Sequence, residues 1–216
     1  MNPHLELLLS RAYDGNLAPE HRADLERSGL TLATIQAQYI RSVPPALIGR
    51  LLGFEVPGVR SALLFPFRSP SGGFMDHIRI KVFPPLADAA GHTIKYLQRK
   101  DSAPRVYFVA SCLQPVLTGL EPLWLVEGEK KAAAVAQLGL PAAGFCGVEG
   151  WHLSGERRLL PDFAPIRLTD RVVELVPDGD YQTNRDVKRA IQRFGTALAM
   201  RGARPRVVLL PSELPR

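Results

Sequence analysis

The chain has 216 residues, 46% hydrophobic and 22% charged, enough for one or two domains that bury a core without disulfides. No run reaches the ~20 apolar residues of a membrane helix. The N-terminus carries no basic signal-peptide start, and Cys112, Cys146 and five scattered histidines form neither a disulfide framework nor a four-ligand zinc site. These features suit a cytoplasmic protein with no membrane partner. The formal charge is +6, and it is uneven: between Arg60 and Ala110 eight basic residues face three acids. Such a field favours a polyanion such as nucleic acid; it also suits a plain soluble basic surface.

The first segment, 1–58, reads as helical. Leu5, Leu7, Leu8 and Leu9 open it, and His21 to Arg27 continue it. Ser28-Gly29-Leu30-Thr31 is a stop followed by a new cap, with Thr31 starting a helix from Leu32 to Ile40. A short helix from Ala46 to Leu52 ends at Gly53. The next segment, 59–118, changes period. Ser61–Phe67 reads as a strand, Ser69–Gly73 as a turn, and His77–Val82 alternates apolar and basic residues. Ile78, Ile80 and Val82 therefore share one face, and Arg79 and Lys81 the other. Thr93–Leu97 and Arg105–Val109 add short strands, predicting a small sheet with one basic face.

From residue 119 the pattern becomes alternating β and α. Pro122–Val126 is an apolar run typical of a strand buried on both faces. A helix from Lys130 to Leu138 follows, then a strand over Pro141–Cys146. A long connection with a short helix near Arg157–Leu160 leads to a strand over Val172–Val176. A helix from Asn184 to Arg201 buries Val187, Ile191, Phe194 and Leu198, and a fourth strand spans Arg206–Leu210. This order implies a parallel sheet with right-handed crossovers. The fold class is α/β, with a Rossmann-like C-terminal sheet preceded by a helical segment and a basic β-rich subdomain.

Three carboxylates stand just past predicted strand ends: Glu127, Asp178 and Asp180. In open α/β sheets ligands bind outside those ends. Converging carboxylates repel unless a cation compensates, and hard oxygen donors suit Mg²⁺ or Mn²⁺. Asp178-Gly179-Asp180 also reads as an ordinary turn, and Glu127 as a helix cap.

Leu125-Val126-Glu127-Gly128-Glu129-Lys130-Lys131-Ala132 with Gly139-Leu140-Pro141-Ala142 resembles the first motif of TOPRIM domains. Asp178-Gly179-Asp180 followed by Thr183-Asn184 resembles their DxD motif. The likeness is nearest to primase-like proteins of plasmids and phages, which are related to bacterial-type DNA primases. It extends to Leu25–Leu30 with Ile35, to Leu64–Phe67 and to Lys95–Gln98. The resemblance implies a TOPRIM domain over 119–216. Glu127 would be the acid/base glutamate, and all three acids, Glu127, Asp178 and Asp180, catalytic and metal-holding. Gly128 and Lys130 would meet nucleotide phosphate, although Lys130 also reads as an exposed helix lysine. Lys131 departs from the pattern, which often has an acid there.

The resemblance further implies that Arg79, Lys81, Lys95, Arg99, Lys100 and Arg105 track single-stranded DNA, with Phe74, Tyr96 and Tyr107 as stacking surfaces or core residues. The expected activity is a primase-like nucleotidyltransferase making short primers from nucleoside triphosphates, with a helicase fused or recruited. One alternative is a TOPRIM nuclease, using the same acids to direct water at a phosphodiester. Another is a non-catalytic module that binds single-stranded DNA or a replication partner. The zinc domain that precedes many bacterial primases is absent, and the further acidic motif of relatives does not follow the fourth strand. The sequence therefore reads as a fragment or a stand-alone module.

Overall fold

The computed structural model describes residues 1–209, and Asp180 through its backbone alone. The chain forms two compact units, one from Met1–Ser69 with Gly73–Ser102, the other from Ala103 onward with Pro70–Gly72.

In the first unit, helices α1 (Pro3–Ser10), α2 (Pro19–Glu26), α3 (Leu32–Ala37) and α4 (Pro45–Leu52) accompany an antiparallel sheet. Its strands are β1 (Arg41–Val43), β2 (Ser61–Arg68), β3 (Phe74–Ala87) and β4 (Thr93–Leu97), in that order. Proline opens α1, α2 and α4, where its missing N–H has no helical partner to lose. Thr31 caps α3 as expected, and Gly53, at φ 83°, closes α4. The helix expected to run to Ile40 stops at Ala37, and Tyr39 turns to φ 57°. Leu5, Leu8, Ile48 and Leu51 pack with Ala62, Leu64, Ile78, Ile80 and Val82 in one core, so the helices and the sheet are one folding entity.

The other face of this sheet departs from expectation. Leu63, Phe65 and Phe67 are also fully buried, so β2 is covered on both sides. Helix α2 lies against this second face: Asp24 pairs with Lys81 at 2.5 Å and the His21 ring meets Phe83 at 4.6 Å. The face that alternation marked as basic is thus a packed layer around Lys81, not a bare charged surface.

The second unit holds a five-stranded sheet in the order β5-β7-β6-β8-β9. Its strands are β5 (Tyr107–Phe108), β6 (Leu123–Glu127), β7 (Ala142–Phe145), β8 (Val172–Val176) and β9 (Arg204–Val207). Strands β6 to β9 run parallel, and β5 pairs antiparallel with β7 through Tyr107↔Gly144. The residues around Arg105–Val109, expected in the first sheet, therefore form an edge of the second. Tyr107 is 1% exposed, which removes it as a stacking surface.

Helices α5 (Leu113–Thr118), α6 (Glu129–Gln137) and α7 (Arg185–Ala199) complete this unit. All four apolar positions expected of α7 are buried. No helix forms at Arg157–Leu160. His152 and Leu159 make an isolated antiparallel bridge, Gly155 turns at φ 79°, and Pro161 starts a 3-10 turn over Pro161–Phe163. The last strand begins two residues earlier than expected, at Arg204, and Leu210 falls outside the described residues. Among the described residues no helix is long and apolar enough to cross a membrane.

Candidate metal and nucleotide site

Strand order decides where a ligand can approach. The chain leaves β6 for β7 on one side, then returns to place β8 on the other side of β6. The direction of winding reverses there, which leaves a crevice outside the strand ends between β6 and β8. Right-handed crossovers in opposite directions also send α6 and α7 to opposite faces of the sheet, so neither covers that crevice.

Glu127 is the last residue of β6, and Asp178 lies two residues beyond the end of β8. Val126 is in register with Val176, so the two acids leave neighbouring parallel strands at the same edge. Glu127 is half-buried, and Asp178 is 46% exposed. Gly179–Gln182 form a 3-10 turn after Asp178, with Tyr181 N–H donating to the Asp178 carbonyl. The side chain of Asp180 lies outside the described residues. Among the described residues, no three His, Cys, Asp or Glu side chains gather about one point.

The turn from β6 into α6 is built by two glycines. Gly128 takes φ 94° and ψ 153°, open to glycine and costly for other residues, and its N–H donates to Phe145 O at 2.9 Å. Gly144 gives the helix room. A Cβ there would meet Gly128 O at 3.1 Å and Ala132 Cβ at 3.2 Å. Helix α6 therefore starts directly at the strand end, which puts the open N–H groups of its first turn at the same sheet edge as Glu127. Lys130 is half-buried in the first turn of this helix.

Lys131 is a site residue that sequence reasoning treated as peripheral. Its ammonium forms an ion pair with Asp178. The signal was present: Lys131 stands four residues after Glu127, in the first turn of α6. Glu129 was also passed over. It is 2% exposed and accepts from Cys146 Sγ at 3.2 Å.

The residues present fit a hard divalent cation on two observations. The donors are carboxylates, and Asp178 already attracts a cation, the Lys131 ammonium. Glu127, Asp178 and Asp180 are the residues that would hold the ion.

The basic residues proposed as a nucleic-acid track separate into different settings. Arg79 lies over the Tyr96 ring at 4.8 Å. Lys81 is bound to Asp24, and Arg99 to Asp76 at 2.7 Å and to Leu51 O. Asp76 feels burial, which raises its pKa, but the Asn2 N–H and Arg99 outweigh it and hold the carboxyl below its ordinary value. Lys95 and Lys100 are exposed. Arg105 belongs to the second unit, where it pairs with Asp162 at 2.9 Å. Burial pushes the Asp162 carboxyl up, against the Val106 N–H and Arg105. Trp151 is a packing residue stacked on Phe194, 5.1 Å between centroids, and His152 has partners in Glu149 and Leu153 O.

A family model described as a domain of unknown function (DUF3854) matches residues 114–215. No curated protein matches the chain. Among solved structures, the RNA polymerase domain of Mycobacterium tuberculosis primase DnaG is similar with a TM-score of 0.63 and 18% identity, over 99% of this chain and 78% of that one. The zinc-binding and RNA polymerase domains of the Aquifex aeolicus primase give a TM-score of 0.60 and 15% identity, over 90% of this chain. The chain spans half the length of that second structure, 50%. At these identities the likeness is one of fold.

Proposed function

We propose that the chain is the polymerising part of a primase-like nucleotidyltransferase that makes short primers on single-stranded DNA from nucleoside triphosphates. The observation that carries the reading is the placement of Glu127 and Asp178 on adjacent parallel strands at the point where winding reverses. The fold likeness to primase polymerase domains, which takes in residues of both units, supports it. TOPRIM membership and the plasmid or phage type belong to the same proposal.

In this reading Glu127 accepts the proton of the attacking 3′-hydroxyl. A new bond forms between that oxygen and the α-phosphorus as the bond to pyrophosphate breaks, and the proton leaves through Glu127. Asp178 and Asp180, with Glu127 beside them, would hold a divalent ion, Mg²⁺ or Mn²⁺, which would supply positive charge against the triphosphate. The Gly128 turn and Lys130, at the start of α6, receive the phosphate oxygens. Lys95 and Lys100 carry exposed charge for the template, and a helicase is the expected replication partner.

The test is primer synthesis on mixed single-stranded templates with all four NTPs and dNTPs. The wild type should make short oligonucleotides with Mg²⁺ or Mn²⁺, and Glu127→Ala and Asp178→Asn should lose about a hundredfold or more, the scale of a missing acid–base or metal-holding group. Shortening of the template would instead identify a nuclease. A template that is bound but unchanged would identify a binding module.

A further inference from the structure

Beyond the crevice, the second unit has a cleft of about 820 Å³ between α7 and the connection that follows β7. Its walls include Glu149, Trp151, His152, Arg157, Arg189 and Arg193. Trp151 forms part of the wall and stacks on Phe194 of α7, which fixes one wall against the other. Between Arg185 and Arg206 there are seven basic residues and one acid, Asp186.

On α7, Arg185, Arg189 and Arg193 recur every fourth residue and are exposed. They form a row with a repeat of about 6 Å along the helix. Arg189 meets Asp186 of its own helix at 3.5 Å, both largely exposed, a pairing that solvent screens strongly. Arg193 is held by Glu149, whose other oxygen accepts from His152 Nε2 at 3.0 Å. One carboxylate thus bridges two basic side chains, an oxygen position that a phosphate could take.

We propose that this cleft and the arginine row bind the sugar-phosphate backbone of a single nucleic-acid strand. A repeated charge at even spacing suits a repeated phosphate. Both walls begin at the carboxylate edge of the sheet: the connection leaves β7 at Phe145, in register with Glu127, and α7 begins seven residues after Asp178. A strand lying in the cleft therefore runs toward those acids. This direction of the strand rests on the primase reading; the binding itself does not.

The experiment is fluorescence anisotropy of a labelled 20-mer of deoxythymidylate on the whole chain, in EDTA, across a salt series. The combined Arg157→Gln, Arg189→Gln, Arg193→Gln variant should bind at least tenfold more weakly, and its log Kd against log salt slope should fall by about 2. Glu149→Gln, which removes the acid from the wall, should bind severalfold more tightly, and it keeps the proposal open to test if the triple variant misfolds. Affinity and slope equal to wild type in both variants would overturn the proposal, as would no binding by the wild type. Loss of binding in Lys95→Gln, Lys100→Gln with the arginine variant unaffected would assign the strand to the first unit instead. Competition by polyglutamate as effective as by the oligonucleotide would mark an acidic-protein surface and overturn it too. Because no metal is present, failure here leaves primer synthesis unjudged, and loss of primer synthesis in Asp178→Asn leaves this binding unjudged.

Discussion

At the scale of the residue, Lys131 is the most informative side chain of the crevice. Its ammonium pairs with the Asp178 carboxylate, and in the proposed function it would compete there with a divalent ion. At a site this exposed the attraction is screened, so its removal is worth severalfold rather than many orders of magnitude. Lys131→Met should therefore raise Mn²⁺ affinity severalfold by isothermal titration calorimetry, and Lys131→Arg should leave it near wild type. Equal affinity in all three would mean that the ammonium is no competitor. His21 gives a second prediction at this scale. Its ring lies between Ser42 Oγ at 2.8 Å and Ser61 Oγ at 3.1 Å, and burial lowers its pKa below 6.5 despite Glu20 and Asp24. The folded state then binds fewer protons than the unfolded state below that value. Stability is full above it and falls as pH drops through the folded pKa. Urea midpoints should decline from about pH 7 to 5 in the wild type and be flatter in His21→Gln.

At the scale of the element, the seat of α6 on β7 decides where the first N–H groups of the helix point. Gly144 allows that seat, since Ala132 and Tyr107 both approach within 3.3 Å of where its Cβ would be. Gly144→Val should cost about 1–3 kcal/mol by overpacking, read as a lower urea midpoint. It should also weaken metal or nucleotide binding, because Glu127 and Gly128 move with the helix start. Stability unchanged from wild type would show that α6 can shift freely. Helix α5 is held in a different way. Arg171, 2% exposed, donates to Pro115 O and Val116 O in the last turn of the helix and to Glu121 O just beyond it, which ties the helix end to the start of β8. Burial lowers the pKa of this guanidinium, with Glu121 opposing.

At the scale of the whole molecule, the two proposed activities occupy different places. Carboxylates at the sheet edge carry the chemistry, and arginines along α7 carry the strand. Chelation by EDTA should therefore abolish primer synthesis and leave oligonucleotide anisotropy in place. Loss of both together would mean that the metal holds the nucleic acid as well. The formal charge of +6 also takes on a different meaning. Of the basic residues between Arg60 and Ala110, Lys81, Arg99 and Arg105 are tied to Asp24, Asp76 and Asp162. The second basic stretch, Arg185 to Arg206, was equally countable in the sequence, and its four-residue repeat on a predicted helix was the signal for it.

The sequence alone determined the four parallel strands of the second sheet, the helical face Val187-Ile191-Phe194-Leu198, the cap at Thr31, and the position of Glu127 and Asp178 at strand ends. These follow from local rules: side-chain period, turn residues and caps act over a few neighbours. The tertiary structure decided that β8 lies beside β6, that Tyr107 joins the second sheet, that α2 covers the face of Lys81, and that Lys131 reaches Asp178. Each of these joins residues far apart in the chain or on separate elements. Pattern within a strand gives the direction of a side chain but not the element that will meet it, and strand order depends on which faces find mutual burial once the whole chain has collapsed.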